Sequence, residues 1–172
     1  MSYVLGIDVG KTGGYALLDP AGQLVRLWGV VLDGEGGFDA DAVDEVIELA
    51  ETLARDATLT VVVERPGLVR LPEGQGFSAA ATDVLSEHVG LVRGVCASRG
   101  LECVRVAPTH WQSVVGLGSE TRSGRSTKAQ ARELCSRLWP DTYGWSEGKR
   151  DAALVALAHQ REHPAVEEAA RA

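Results

Sequence analysis

VLGIDVGKTGGYALLD, residues 4–19, reads as a strand, a glycine-rich turn and a second strand. The first strand, over 3–9, is apolar enough to be covered on both faces, yet Asp8 lies within it. An ionised carboxylate buried without a partner is costly, so Asp8 must be paired, hydrogen-bonded or bound to a cation. The apolar run after the turn, 13–18, and a third run, 23–32, flank DPAG at 19–22. In that tetrapeptide Pro sets φ and Gly tolerates a positive φ. The three runs predict an antiparallel meander.

Working outward, GEGG at 34–37 breaks the chain, and Asp39 or Asp41 opens a helix. Val43, Val46, Ile47, Ala50, Leu53 and Ala54 form its apolar stripe, and Asp44, Glu45, Glu48 and Glu51 lie off it as a solvated face. LTVVVERP, 59–66, is a second buried strand, and Glu64 closes its apolar run. A Gly/Pro-interrupted loop covers 67–77, and a helix covers 78–99 with His88 on its apolar side as a core histidine. A strand at 101–106, a short helix from Pro108 with Trp111 as core packing, and a polar segment at 116–126 follow. Helices over 127–138 and 149–163 flank a loop at 140–148, where Trp139, Tyr143 and Trp145 read as packing. The order β-β-β-α-β-α-β predicts an α/β fold: a mixed five-stranded sheet, its first three strands antiparallel, then β-α-β crossovers, with helices on both faces. One domain is expected over 1–164, with a tail at 165–172. The strand after the first helix can return beside strand one, making Asp8 and Glu64 neighbours.

The chain has 172 residues, 45% of them apolar, which suits one folded domain and excludes wholesale disorder. No apolar run approaches the roughly 20 residues of a membrane span, and no secretory leader is expected. Cys96, Cys103 and Cys135 have no CxxC spacing and read as reduced thiols, consistent with a cytoplasmic location. The net charge is −7, but it is unevenly spread. Residues 1–60 hold eleven acids against three bases; residues 120–150 hold seven bases against four acids. Local charge governs contact with a phosphate backbone, so that basic stretch is either a solvated surface or a nucleic-acid strip.

Asp8, Glu64 and Asp151, the last opening the helix DAALVALAH, are carboxylates on three separate elements. Gly6, on the strand face of Asp8, leaves open space beside it. Taken singly, Asp151 is explained as a helix-start residue and Glu64 as a partner of Arg65 or another base. Taken together they suggest one cleft, where clustered carboxylates repel unless a cation sits among them. Hard oxygen ligands select Mg²⁺ or Mn²⁺. GKTGG at 10–14 lacks the spacing of a phosphate-binding loop and leads into a strand, so that reading is rejected.

GIDVGKTGGYALLD, VVVERP, GLVRGV, APTHWQSVVGLG, STKAQARELCSRLWP and KRDAALVALAH, in this order, resemble the RuvC-like Holliday-junction resolvases of the RNase H-like nuclease superfamily, phage or prophage type. The resemblance covers about residues 3–160. It implies Asp8, Glu64 and Asp151 as metal ligands and catalytic acids, with Lys128 as a basic catalytic residue near the scissile phosphate. The family often has an acid or His three residues before the last Asp; here that position is Gly148, and the adjacent Glu147 is the substitute ligand from the loop. Phe77, Arg122, Arg125, Lys128, Lys149 and Arg150 are the expected DNA contacts. Two divalent ions per site, Mg²⁺ or Mn²⁺, are implied, as are a four-way DNA junction as substrate and a homodimer formed through the helix around 90–95. No membrane and no small-molecule cofactor are expected. Rival readings are another nuclease of the same fold acting on flaps, forks or RNA–DNA hybrids, and a non-catalytic junction-binding protein. A sugar-kinase or actin-like half is disfavoured, because it needs a second, duplicated domain.

Overall fold

The computed structural model describes residues 2–55, 57–66, 78–118 and 124–164. The whole loop at 67–77 with Phe77, residues 119–123 with Arg122, and the tail from 165 lie outside the described residues.

The opening stretch folds as its near-continuous apolar runs and the intervening glycine-rich turn predict. Strand β1 (Ser2–Asp8) pairs antiparallel with β2 (Gly14–Leu18), which pairs with β3 (Leu24–Gly29). The third strand stops at Gly29 rather than running to 32; Leu32 makes only an isolated bridge to Phe38. Helix α1 (Ala40–Ala54) is capped by Asp39, whose side chain accepts the Ala42 N–H. Strand β4 (Thr58–Glu64) returns parallel to β1, and after α2 (Ala79–Arg99) strand β5 (Glu102–Val106) adds parallel to β4. Helices α3 (Pro108–Val114), α4 (Thr127–Leu138) and α5 (Glu147–Glu162) follow. The sheet order is β3-β2-β1-β4-β5. This is the mixed five-stranded sheet expected, with the meander first and the crossovers after.

Because strand side chains alternate, the sheet has two cores. Val4, Ala16, Leu18 and Val62 point to one face and meet α3, α4 and α5 through Trp111, Leu134 and Val155. Leu5, Ile7, Tyr15, Leu17, Val61 and Val63 point to the other and meet α1 and α2 through Val43, Ile47, Val89 and Val92. Among the described residues no helix is long and apolar enough to cross a membrane.

Three local expectations are corrected. The acids of α1 are not merely a solvated face: Arg99, at the end of α2, donates to Asp44, Glu48 and Glu51 at 2.9–3.3 Å. Their partner lies 48 to 55 residues away in the chain, beyond reach of helical periodicity. The space beside Gly6 is not open: a Cβ there would stand 2.1 Å from the Ala152 carbonyl oxygen and 2.9 Å from the Ala156 Cβ. Glycine at this position lets α5 lie directly on β1. Finally, α5 begins at Glu147, not 149, because Ser146 caps it by accepting the Lys149 N–H.

Candidate active site

The sheet register brings two of the carboxylates together. Ile7 pairs with Val63 across the parallel β1–β4 seam, so Asp8 and Glu64 follow on adjoining strands, one step further. Asp8 shares the strand face of Gly6 and Val4, and Glu64 that of Val62, so both point to the α5 side. The third comes from α5. Ala152 rests on Gly6, and Asp151 is its neighbour on the helix. Asp151 therefore sits in the second turn of α5, four residues past Glu147, and does not cap the helix.

All three carboxylates are half-buried. Burial pushes each of their pKa values up, because the charged form loses its water. Asp8 is raised by burial, partly offset by the Gly10 N–H that donates to its Oδ1 at 3.3 Å. Glu64 is pushed to about 8 by burial and then by the charges of Asp8 and Asp151. Asp151 is pushed to about 7 by burial, then by Asp8 and Glu147, against the opposing pull of Lys128 and Arg150. The charge of Asp8 falls on both of the other two. Among the described residues no three His, Cys, Asp or Glu side chains already stand at ligand spacing around one point. The donor set nevertheless fits a hard divalent cation: it is all oxygen, desolvated and self-repelling, and a cation offsets each of those costs.

These shifts fix a pH dependence. Glu64 and Asp151 hold protons in the folded state that they lose in the unfolded chain above their ordinary values of 4.5 and 3.8. Their contribution to stability is complete below those values and is lost as pH rises through about 7 to 8. His88 acts in the other direction. Its pKa is lowered by burial, so its contribution is lost only as pH falls below 6.5. Between about pH 6.5 and about pH 8.5 the carboxylates therefore dominate, and the melting temperature in EDTA falls. Thermal denaturation across that window, with Glu64→Gln as the flattened control, checks this; a rising melting temperature contradicts it.

Neighbouring residues hold the set in place. His88 is fully buried; its Nδ1 lies 3.1 Å from the Val9 carbonyl and its Nε2 2.8 Å from the Tyr15 hydroxyl. A carbonyl only accepts, so Nδ1 carries the proton, and the Tyr15 O–H donates to Nε2. The core histidine expected from sequence thus also anchors the backbone immediately after Asp8. Trp111 is buried as expected, but its indole N–H donates to Glu64 Oε2 at 3.1 Å. Sequence gave no signal for that bond, which spans 47 residues.

The glycine-rich turn supports the far end of the site. A Cβ on Gly148 would meet Gly13 Cα at 2.3 Å and the Thr12 carbonyl oxygen at 2.5 Å. The first turn of α5 therefore rests on the backbone of the β1–β2 turn. Lys11, within that turn, donates to the Gly36 carbonyl at 2.7 Å.

Of the expected basic residues, Lys128, Lys149 and Arg150 stand at the start of α5. Lys128, in the first turn of α4, donates to Glu147 Oε2 at 2.6 Å. Glu147 lies in the first turn of α5, not in a loop, and its carboxylate is engaged by that lysine. Arg125 pairs with Glu133. The stem of Lys149 crosses β2 and β3 beside Gly14 and Gly29. Arg150 has its Nε buried with no partner among the described residues. Of the loop aromatics, Trp139 is buried and stacks on Trp145 at 6.1 Å, while Tyr143 is fully exposed.

No family model and no curated protein matches the sequence. Solved structures do match. A Thermus thermophilus RuvC in complex with Holliday junction substrate has a TM-score of 0.67 at 16% identity, over 95% of this chain and 95% of that one. A second T. thermophilus RuvC structure gives 0.66 at 17% identity, over 94% of this chain and 95% of that one. The yeast mitochondrial Holliday junction resolvase gives 0.55 at 16% identity, over 93% of this chain and 78% of that one. With the sheet order and the two helical layers described above, these likenesses give the chain the RNase H-like fold of RuvC.

Proposed function

We propose that this chain is a divalent-metal-dependent, structure-selective endonuclease that resolves four-way DNA junctions by paired symmetric nicks. The observation that carries this reading is that Asp8 and Glu64 face the helix that carries Asp151, all three raised by burial and Glu64 and Asp151 also by the charge of Asp8. The fold is one shared with a RuvC bound to junction DNA and with a yeast resolvase, which points to the substrate class.

Asp8, Glu64 and Asp151 would hold Mg²⁺ or Mn²⁺, and Glu147 is the further candidate, held at present by Lys128. A bound divalent ion supplies an acidified water and neutralises charge on the phosphodiester. The chain's own groups do the rest. Lys128 meets the non-bridging oxygens of the scissile phosphate, where negative charge grows as water adds. Attack in line with the 3′ oxygen breaks the P–O3′ bond, and the departing oxygen takes a proton. The products are a 5′-phosphate and a 3′-hydroxyl. Arg125, Lys149 and Arg150 contact the backbone on either side, with Arg122 and Phe77 assigned to DNA by the resemblance. A two-fold dimer places two such sites on the symmetric strands of the junction.

The test is cleavage of a labelled four-way junction beside linear duplex, a flap and an RNA–DNA hybrid, with Mg²⁺, Mn²⁺ or EDTA. Paired nicks on opposite junction strands, absent in EDTA, are expected. Cleavage confined to the hybrid or the flap would move the substrate and keep the nuclease. Junction binding without any cleavage would leave a binding protein. Binding itself falls steeply with salt: four phosphate contacts from Arg125, Lys128, Lys149 and Arg150 predict a loss of about a hundredfold between about 50 and about 200 mM salt. Equal retention at both concentrations in a filter-binding assay would remove that basic strip from the interface.

A further inference from the structure

We propose that Trp111 is a positioning residue for the carboxylate site: its indole N–H fixes one oxygen of Glu64 and thereby sets how tightly the site takes its cation. This rests on the metal-dependent reading above.

The placement follows from the strands. Glu64 pairs with Val106 at the end of the β4–β5 seam, and the Arg65 N–H donates to the Val106 carbonyl at 2.7 Å. The chain turns at Ala107 and Pro108 starts α3, so the fourth residue of that helix comes back over the end of β4. Trp111 is 1% exposed and packs in the cluster containing Val62, Ala152 and Val155, which holds its ring in one orientation. An indole has one donor and no acceptor. Buried in this way, the N–H must find its partner within the protein.

What that partner is separates this tryptophan from an ordinary core one. Trp139, buried to a similar degree, donates to the Gly22 backbone carbonyl at 3.2 Å. Trp111 instead addresses a carboxylate oxygen, Glu64 Oε2, at 3.1 Å. Among the described residues it is the sole hydrogen-bond donor to Glu64. The bond occupies Oε2 and leaves Oε1 without a protein partner among the described residues. A carboxylate tethered through one oxygen presents the other in a fixed direction, as outer-shell donors do at metal sites. Asp8 is oriented in the same manner by the Gly10 N–H, so two of the three acids are held through one oxygen each.

Trp111→Phe tests the proposal, because it keeps an aromatic ring in the core and removes the donor along with part of the ring volume. Mn²⁺ binding to wild type and variant is measured by calorimetry, without DNA. The expected result is about tenfold weaker Mn²⁺ binding or more. On a four-way junction kcat falls while KM stays within about twofold, because Trp111 acts through Glu64 and not on DNA. A folded variant with Mn²⁺ affinity unchanged would make Trp111 a packing residue only. A wild type that binds no Mn²⁺ would instead overturn the reading of the site itself.

A second measurement on the wild-type ring covers the case of a variant that does not fold. Phe variants at Trp28, Trp139 and Trp145 assign the Trp111 indole N–H resonance by elimination. Mg²⁺ titration is expected to shift that resonance, and Glu64→Gln to abolish the shift. An indole resonance that ignores Mg²⁺, while other resonances of the site respond, would overturn the proposal.

Discussion

Asp8→Asn removes junction cleavage by at least about a thousandfold, the loss of about 4 kcal/mol of transition-state stabilisation, and also makes the metal-free protein more stable. The two effects have one origin. Asp8 is the acid whose charge raises both Glu64 and Asp151. An asparagine there still offers an oxygen to the Gly10 N–H, so the loop keeps its shape, but the repulsion that Asp8 exerts on Glu64 and Asp151 is gone, while that between Asp151 and Glu64 remains. In EDTA at pH 8 the melting temperature rises by about 2–4 °C, the shift that about 1 kcal/mol produces in a chain of this size. Nicking assays and thermal denaturation read the two effects separately. Retained cleavage would take Asp8 out of the chemistry. A lowered melting temperature would mean that its charge has a stabilising partner the repulsion argument leaves out.

Gly148→Asp supplies the acid that the resemblance leads one to expect three residues before Asp151, yet it lowers both stability and activity. A Cβ at this position would overlap Gly13 Cα and the Thr12 carbonyl oxygen. Both are backbone atoms and cannot rotate away. Overpacking of this kind costs about 1–3 kcal/mol, and here the turn after Asp8 or the first turn of α5 must shift to relieve it. The melting temperature falls by about 2–12 °C, and cleavage falls with it, since either shift separates Asp8 from Asp151. Mn²⁺ affinity does not rise. A variant with normal stability and tighter Mn²⁺ binding would show that the carboxylate is accommodated as a fourth ligand.

What was legible in the sequence follows the range of the forces involved. Strands β1 and β4 declare themselves by runs of Val, Ile and Leu, and their order in the chain is enough to set Asp8 beside Glu64. Alternation also gives the face on which each acid lies. The features that escaped depend on partners far along the chain. Gly148 reads as a loop residue because glycine weakens a helix, and only the Gly13 backbone explains it within α5. Glu48 and its neighbours on α1 read as solvated because their partner, Arg99, is at the end of the next helix. Trp111 reads as core, and it is, but a hydrogen-bond acceptor is invisible in an apolar pattern. Asp151 was found for its residue type and its apolar context, while its place in the second turn depends on Ser146, a cap lying outside the apolar repeat.

Helix α5 touches the meander through atoms that cannot move aside. Gly6 meets Ala152 and Ala156 near its middle, and Gly148 meets Gly13 at its start. Side chains can change rotamer locally, whereas contacts between backbones part only when whole elements separate. Amide hydrogen exchange is the property on which this bears. The Gly13 N–H, bonded to the Gly10 carbonyl at 2.8 Å, and the amides of residues 152–156 are expected to open as one cooperative unit. They are expected to exchange at a common, slow rate set by unfolding of the sheet; faster exchange of the Gly13 N–H than of residues 152–156 would separate the turn from the helix.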